Sequence, residues 1–385
     1  MLDLILQCNQ ATQSRQAKHI LISFDQENKM FIGDSYILMN KLTACRSFFT
    51  QATIDINCPN AKHADLCSTL LKNNPYIREV INASWDQLAF RDYDMVFCIS
   101  RQEQQLLDTL EQQYLATLTQ PWTTAVYSMS VQFLNWGPDP VTRSLFPPFL
   151  EILDNQADHN QTTLSELFIS AAEKAWANQW LRDNGVQEHE RVYVVLDSTS
   201  ERYKLMDIDT YKSVFTHLLH EESVKVLLFD EQNLGKQQFY REWLGEEDLS
   251  KVIFSKKLSL REALCLLSAD YIRMIFGPCT GLLHCASGIY NHFLRLGMAG
   301  TAIPAIITYT GRYVDGHTAD FWWGSSPLVT CIILRATENN DKEAVLLSDL
   351  PAAEKHDTSR LLFCSDYTPD MLIAALPAYT QSLVI

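Results

Sequence analysis

Thr280, Gly281 and His284, in the stretch IFGPCTGLLHCASG (Ile275–Gly288), are the residues of this chain whose types and spacing point most directly to chemistry. An apolar strand that runs into Gly277-Pro278, and then into a helix opening at Thr280-Gly281, aims backbone N–H groups and the positive helix end into one space. That geometry binds anions, phosphates in particular. His284 falls about one turn into the helix, so its imidazole can reach the same anion or a leaving group. Thr280 as an ordinary helix cap accounts for the same residues equally well. Glu231 follows an apolar run ending LLFD, where a carboxylate can hold a ribose hydroxyl or simply complement a helix N-terminus. Arg312 reads first as a surface arginine and second as added charge near a phosphate. The aromatic group Phe321–Trp323 reads first as packing under a loop and second as a platform for a sugar face. Asp34, ahead of a helical run, is an N-cap or, facing a cleft, a general base.

The elements that must position these residues follow an alternating pattern. Short apolar runs are expected as strands at His19–Phe24, Ala52–Ile56, Arg78–Ile81, Met95–Ile99 and Ala125–Ser128, separated by amphipathic segments such as AKHADLCSTLLKNN. This is the signature of parallel strands joined by crossover helices. A Pro-rich and polar stretch, NWGPDPVTRSLFPPFLEILDNQADHNQ, breaks the alternation and reads as a domain connection. A long helical pattern over Leu164–Asn184 leads to a second series of strands at Val192–Leu196, Val224–Phe229, Val252–Phe254, Ile272–Phe276 and Ile303–Thr308. The region after Cys331 predicts an extra strand pair or a surface excursion. TPDMLIAALPAYTQSLV predicts a terminal helix interrupted at Pro377. The expected organisation is an α/β chain of two Rossmann-like domains, residues 1–150 and 151–366, with a terminal helix over 367–385 packing back on the N-terminal domain.

Composition bounds what the chain can do. With 385 residues, 47% hydrophobic and 20% charged, it reads as a globular protein of two domains. No apolar run approaches the roughly 20 residues of a membrane-spanning helix. A net charge of −15 opposes non-specific attraction to nucleic acid or anionic lipid, so no nucleic-acid partner is expected. The segment Met1–Gln10 lacks a basic n-region and a long apolar core, so a secretory signal is not expected. Ten cysteines are spread along the chain without a CxxC motif and read as reduced, mostly buried thiols. Two loose DxD matches, Asp92–Asp94 and Asp207–Asp209, abut a strand and a helix start, so no metal is predicted.

The stretch around Thr280 resembles the GP-D-(S/T)-G-x-x-H-x-A signature of glycosyltransferase family 9, the ADP-heptose:lipopolysaccharide heptosyltransferase family, at Gly277, Pro278, Thr280, Gly281, His284 and Ala286. Cys279 stands where that family usually has Asp, a residue associated with the donor sugar. FIGDSYILMNKLTACRSFF resembles the family's N-terminal GD loop and helix, with Gly33 and Asp34 at the matching positions. NNPYIREVI and YDMVFCIS are similar to its next two segments. VVLDSTSERYKLMDIDTYKSVFTHLL resembles its strand, loop, lysine and helix, which places Lys204 at the phosphate-contacting lysine. IITYTGR resembles a further strand and its following loop.

The resemblance implies the GT-B fold, with a cleft between an acceptor domain and a nucleotide-sugar domain, and inverting transfer from a nucleotide-diphosphate sugar without a cofactor or metal. Asp34 becomes the base that takes the acceptor hydroxyl proton. Thr280, Gly281, His284 and Lys204 are assigned to the donor diphosphate, with Ser198 and Thr199 as secondary contacts. Cys279 and Glu231 are weaker candidates for the sugar and ribose. The implied acceptor is a glycolipid or surface-polysaccharide precursor, met in the cytoplasm at the inner face of the membrane. A sugar-nucleotide epimerase and a degenerate GT-B protein that binds nucleotide or glycan without turnover are the alternatives.

Overall fold

A computed structural model describes residues 1–12, 17–26, 31–33, 35–115, 121–134, 141–148, 164–231, 233–313, 318–323 and 326–382. The chain divides into two compact units, Met1–Ser165 and Glu166–Ile385. The division falls somewhat beyond the expected boundary at residue 150.

In the first unit, β1 (His19–Phe24), β2 (Thr53–Asn57), β3 (Ile77–Ile81), β4 (Met95–Ile99) and β5 (Ala125–Ser128) form one sheet in the order β3-β2-β1-β4-β5. All four pairings are parallel. The central strands are buried along nearly their whole length, as parallel strands covered on both faces must be. An N-terminal helix, Leu2–Thr12, was not anticipated from the sequence. It places Asn9 against the outer strand β5, where the side-chain amide donates to the Val126 carbonyl (2.7 Å) and accepts from the Val126 N–H (2.8 Å). The side chain thus satisfies backbone groups that an edge strand would otherwise leave open.

The second unit holds β6 (Arg191–Val195), β7 (Val224–Phe229), β8 (Val252–Ser255), β9 (Ile272–Pro278), β10 (Ala305–Thr310), β11 (Val329–Ala336) and β12 (Lys342–Leu346). Their order is β12-β11-β10-β9-β6-β7-β8, parallel throughout except for the β11–β12 hairpin. That hairpin is the extra strand pair, the first of the two alternatives for this region.

Two expectations are corrected here. Leu164–Ser170 is not helical; the helix begins only at Ala171, because Ser170 and Glu173 form a reciprocal capping box. The preceding residues run against the Gly281–Arg295 helix, where the Leu167 N–H donates to the Gly288 carbonyl (3.0 Å) and a Cβ on Gly288 would sit 3.2 Å from that of Leu167. Leu164, Leu167 and Phe168 imitate a helical face by their spacing, whereas Ser165 to Phe168 are in fact buried in succession. The terminal helix, Pro369–Ser382, packs within the second unit: Leu372 and Leu376 join the core formed by Phe215, Leu218, Ile332 and Tyr367. It continues through Pro377 without the expected interruption.

Candidate functional site

The order of the second sheet sets the site. From β6 the chain builds outward through β7 and β8 on one side, then returns to lay β9, β10 and β11 on the other. The C-terminal ends of β6 and β9 therefore flank the point where the winding reverses, which is where open parallel sheets bind ligands. The Leu196 N–H donates to the Phe276 carbonyl (2.8 Å), keeping the two strand ends together. Gly277 permits this approach, since a Cβ there would lie 2.7 Å from the Leu196 carbonyl oxygen. The sequence thereby brings Asp197-Ser198-Thr199 beside Cys279-Thr280-Gly281.

Thr280 occupies the N-cap of the Gly281–Arg295 helix with extended backbone, φ −134° and ψ 163°, yet its hydroxyl makes no cap hydrogen bond. That oxygen is buried and has no hydrogen-bond partner among the described residues. The Thr280 carbonyl accepts from the Leu283 and His284 N–H groups, both at 3.1 Å. Gly281 and Leu282, as the first two residues of the helix, have no intrahelical acceptor for their amides. The helix is held in place by its inward face, which includes Leu283, Ala286, Ile289 and Phe293.

His284 is 3% exposed. Its ring stacks on the Trp323 indole, with Trp322 nearby, and its Nε2 lies 3.5 Å from the Cys279 Sγ. Burial, reinforced by the positive charge of Lys204, pushes the imidazole down to about 3. The ring is therefore neutral at physiological pH. Lys204 ends a short 3-10 turn, Arg202–Lys204, with its Nζ 5.4 Å from the ring centre of Tyr313 and 5.9 Å from that of Tyr203. Among the described residues its ammonium has no carboxylate partner. A cation near enough to bear on His284, an open helix N-terminus and a buried hydroxyl without a partner among the described residues are groups that can serve an anion.

The remaining candidates are placed as follows. Ser198 is exposed and Thr199 half-buried in the loop after β6. Glu231, after β7, has both carboxylate oxygens engaged, one by the Ser255 hydroxyl and the other by the Leu258 N–H, so it clasps the turns after β7 and β8. Arg312 is exposed, with its guanidinium over the Phe363 ring. Of the DxD pairs, Asp207 caps the Ile208–Leu219 helix and Asp94 accepts from the Lys18 and His19 N–H groups. Asp34 lies outside the described residues.

Sequence reasoning missed three contributors. Trp323, read first as packing under a loop and second as a platform for a sugar face, lies directly on His284, a contact that neither reading contained. Tyr313, buried beside Lys204, carried no signal of its own. Asp197, next to the loop, is paired with Lys236 and accepts from the Tyr240 hydroxyl (3.0 Å); a strand-terminal Asp before Ser-Thr was the available hint. In the first unit, Asp25 follows β1 at the corresponding reversal between β1 and β4, where its carboxylate accepts from the Ser100 hydroxyl (2.6 Å).

No protein-family model matches the sequence, and no curated protein matches it. Among solved structures, the chain is similar to ADP-heptose lipopolysaccharide heptosyltransferase II of E. coli, with a TM-score of 0.58 and 14% identity over 94% of this chain and 98% of that one. It is also similar to a family 9 glycosyltransferase of Veillonella parvula, with a TM-score of 0.59 and 13% identity over 94% of this chain and 97% of that one. At such identity the likeness is one of fold. With two Rossmann-like units, one built on a parallel sheet and the other on a sheet parallel but for its last strand, this chain has the GT-B fold of those two transferase structures.

Proposed function

We propose that the protein is an inverting glycosyltransferase that moves a sugar, heptose or a related one, from a nucleoside-diphosphate donor to a glycolipid or surface-polysaccharide acceptor. The observation that carries this reading is the set at the β6–β9 reversal: among the described residues, the Lys204 ammonium has no carboxylate partner, the amides of Gly281 and Leu282 have no intrahelical acceptor, and the Thr280 hydroxyl has no hydrogen-bond partner. The GT-B fold shared with heptosyltransferase II, named for an ADP-heptose donor, supports a nucleotide sugar as the ligand of this set.

In the proposed reaction Asp34 accepts the acceptor hydroxyl proton as that oxygen attacks the anomeric carbon. The bond from that carbon to the diphosphate oxygen breaks, and the nucleoside diphosphate leaves with the electron pair. Lys204 and the amides at Gly281 and Leu282 stabilise the charge that grows on the leaving group, so no metal is required there. Ser198 and Thr199, in the loop that follows β6, serve as secondary contacts. His284, neutral and packed, acts by holding Cys279 and the turn before the helix in place. The reaction takes place in the cytoplasm, at the inner face of the membrane.

Binding without turnover is the second reading, and His284 favours it: a ring enclosed by Cys279 and Trp323 has little freedom to assist a leaving group. One experiment separates the two. Sugar nucleotides carrying ADP, GDP, UDP, CMP or dTDP are incubated with the protein, a chelator and a mixture of glycolipid and polysaccharide-precursor acceptors, and release of nucleotide is followed alongside thermal shift. Release from one donor with a matching shift supports transfer. A shift without release supports binding alone, and neither in folded protein rejects both.

A further inference from the structure

Cys58, His63 and Cys67 of the first unit form a compact group outside everything described so far. Cys58 follows β2, while His63 and Cys67 lie one turn apart on the same face of the Ala61–Leu70 helix. Asn60 fixes the start of that helix by accepting from the Lys62 and His63 N–H groups. The Cys58 N–H donates to the Ile81 carbonyl (2.9 Å), which ties the preceding loop to β3. One ligand atom from each residue lies within 4.8 Å of the others. Both cysteines are fully buried and His63 is 3% exposed.

Two features distinguish this group from ordinary core packing. Both ring nitrogens of His63 are buried without a hydrogen bond of ordinary geometry among the described residues, and the Cys67 thiol lies within electrostatic reach of the ring. A buried imidazole normally satisfies at least its N–H, so one that satisfies neither nitrogen is placed for a ligand that supplies no hydrogen bond. The Cys58 and Cys67 sulfurs are 3.6 Å apart. That is well beyond the roughly 2.05 Å of a disulfide. It is close to the separation of about 3.8 Å between two thiolates bonded at about 2.3 Å to one tetrahedral zinc ion. The Phe24 ring, edge-on to His63 at 4.6 Å between centres, adds an apolar wall.

We propose that Cys58, His63 and Cys67 bind one thiophilic divalent cation, zinc in the first instance, in a site that pins the β2 loop to the following helix. Among the described residues no fourth side chain joins the group, so the fourth position falls to solvent or a small anion. The spacing, Cys-x4-His-x3-Cys, escapes a sequence scan because it lacks the second cysteine pair of familiar zinc patterns. The site is independent of the proposed transferase chemistry and shares no residue with it.

The test uses the full chain, stripped with chelator under reducing conditions and titrated with Co(II) alone. The expected result is one equivalent bound, with a thiolate-to-cobalt charge-transfer band and strong tetrahedral visible bands that Zn(II) abolishes. His63→Ala should weaken binding by about 10- to 100-fold, at least what loss of an outer-shell partner costs. His63→Cys should restore binding with a stronger charge-transfer band. A reduced, folded wild-type protein that develops no cobalt band overturns the proposal, as does a Cys58–Cys67 disulfide in protein isolated without chelator. Should a variant fail to fold, the wild-type titration decides alone.

Discussion

The His284 imidazole lies flat on the Trp323 indole, with ring centres 4.2 Å apart and planes 10° from parallel. The stack joins the helix that opens the candidate donor site to the Ala319–Trp323 helix after β10, and Trp323 is 2% exposed. Trp323→Ala should therefore destabilise the protein by about 3–5 kcal/mol, the usual cost of emptying a buried aromatic site. Urea unfolding measures it; a loss below 1 kcal/mol, on the order of a surface change, would show that the stack bears little of the stability.

The same burial makes stability depend on acid. His284 titrates near 6.5 when unfolded and is pushed down to about 3 when folded. Between those values the unfolded chain binds a proton that the folded chain does not, so stability falls as pH drops from about 6.5 towards 3 and is unaffected by this group above that window. The slope approaches roughly 1.4 kcal/mol per pH unit. His284→Phe should flatten that part of the stability profile, and an unchanged profile would assign the acid sensitivity elsewhere.

Lys204→Ala should weaken binding of the nucleoside diphosphate by about 10- to 100-fold, the range for a lost charge-assisted hydrogen bond. Lys204→Arg should recover part of it. Calorimetry on both variants is the check, and equal affinity in Lys204→Ala and wild type would remove the lysine from the site.

Asp34→Ala should lower kcat by roughly 10²–10⁴, as expected for loss of a general base, while nucleotide affinity stays within about twofold. Turnover at the wild-type rate would reject the base assignment without touching the donor site.

Gly277→Ala tests the geometry that brings the strand ends together. The added Cβ would meet the Leu196 backbone at 2.7 Å, a contact that neither chain can relieve by turning a side chain. The variant should lose about 1–3 kcal/mol and bind nucleotide less well, because Ser198 and Thr280 move apart. Unchanged melting and affinity would mean that the loops accommodate the methyl group.

The sequence by itself determined the elements whose own residues carry the reason for them. Runs such as HILISF, MVFCI and VKVLLF have no polar face, so they form strands buried on both sides at the positions their composition predicts. Gly277, Thr280 and Gly281 likewise announced a strand, a turn and a helix start in order. Local periodicity misled at Leu164–Ser170, where Leu164, Leu167 and Phe168 have helical spacing but Ser165 to Phe168 are buried in succession. Tertiary structure alone decided which strand lies beside which. The pairing of β6 with β9 sets Leu196 against Gly277, brings the Ser198 and Thr199 loop to Thr280, and depends on the order in which distant segments join the sheet. It also decided that His284 would be enclosed by Trp323 and Cys279, and that Cys58 would meet His63 and Cys67. Cys279 and His284, or Cys58 and Cys67, are near in sequence, but whether they meet depends on packing from distant elements such as the Trp323 helix and β3, which no short window contains.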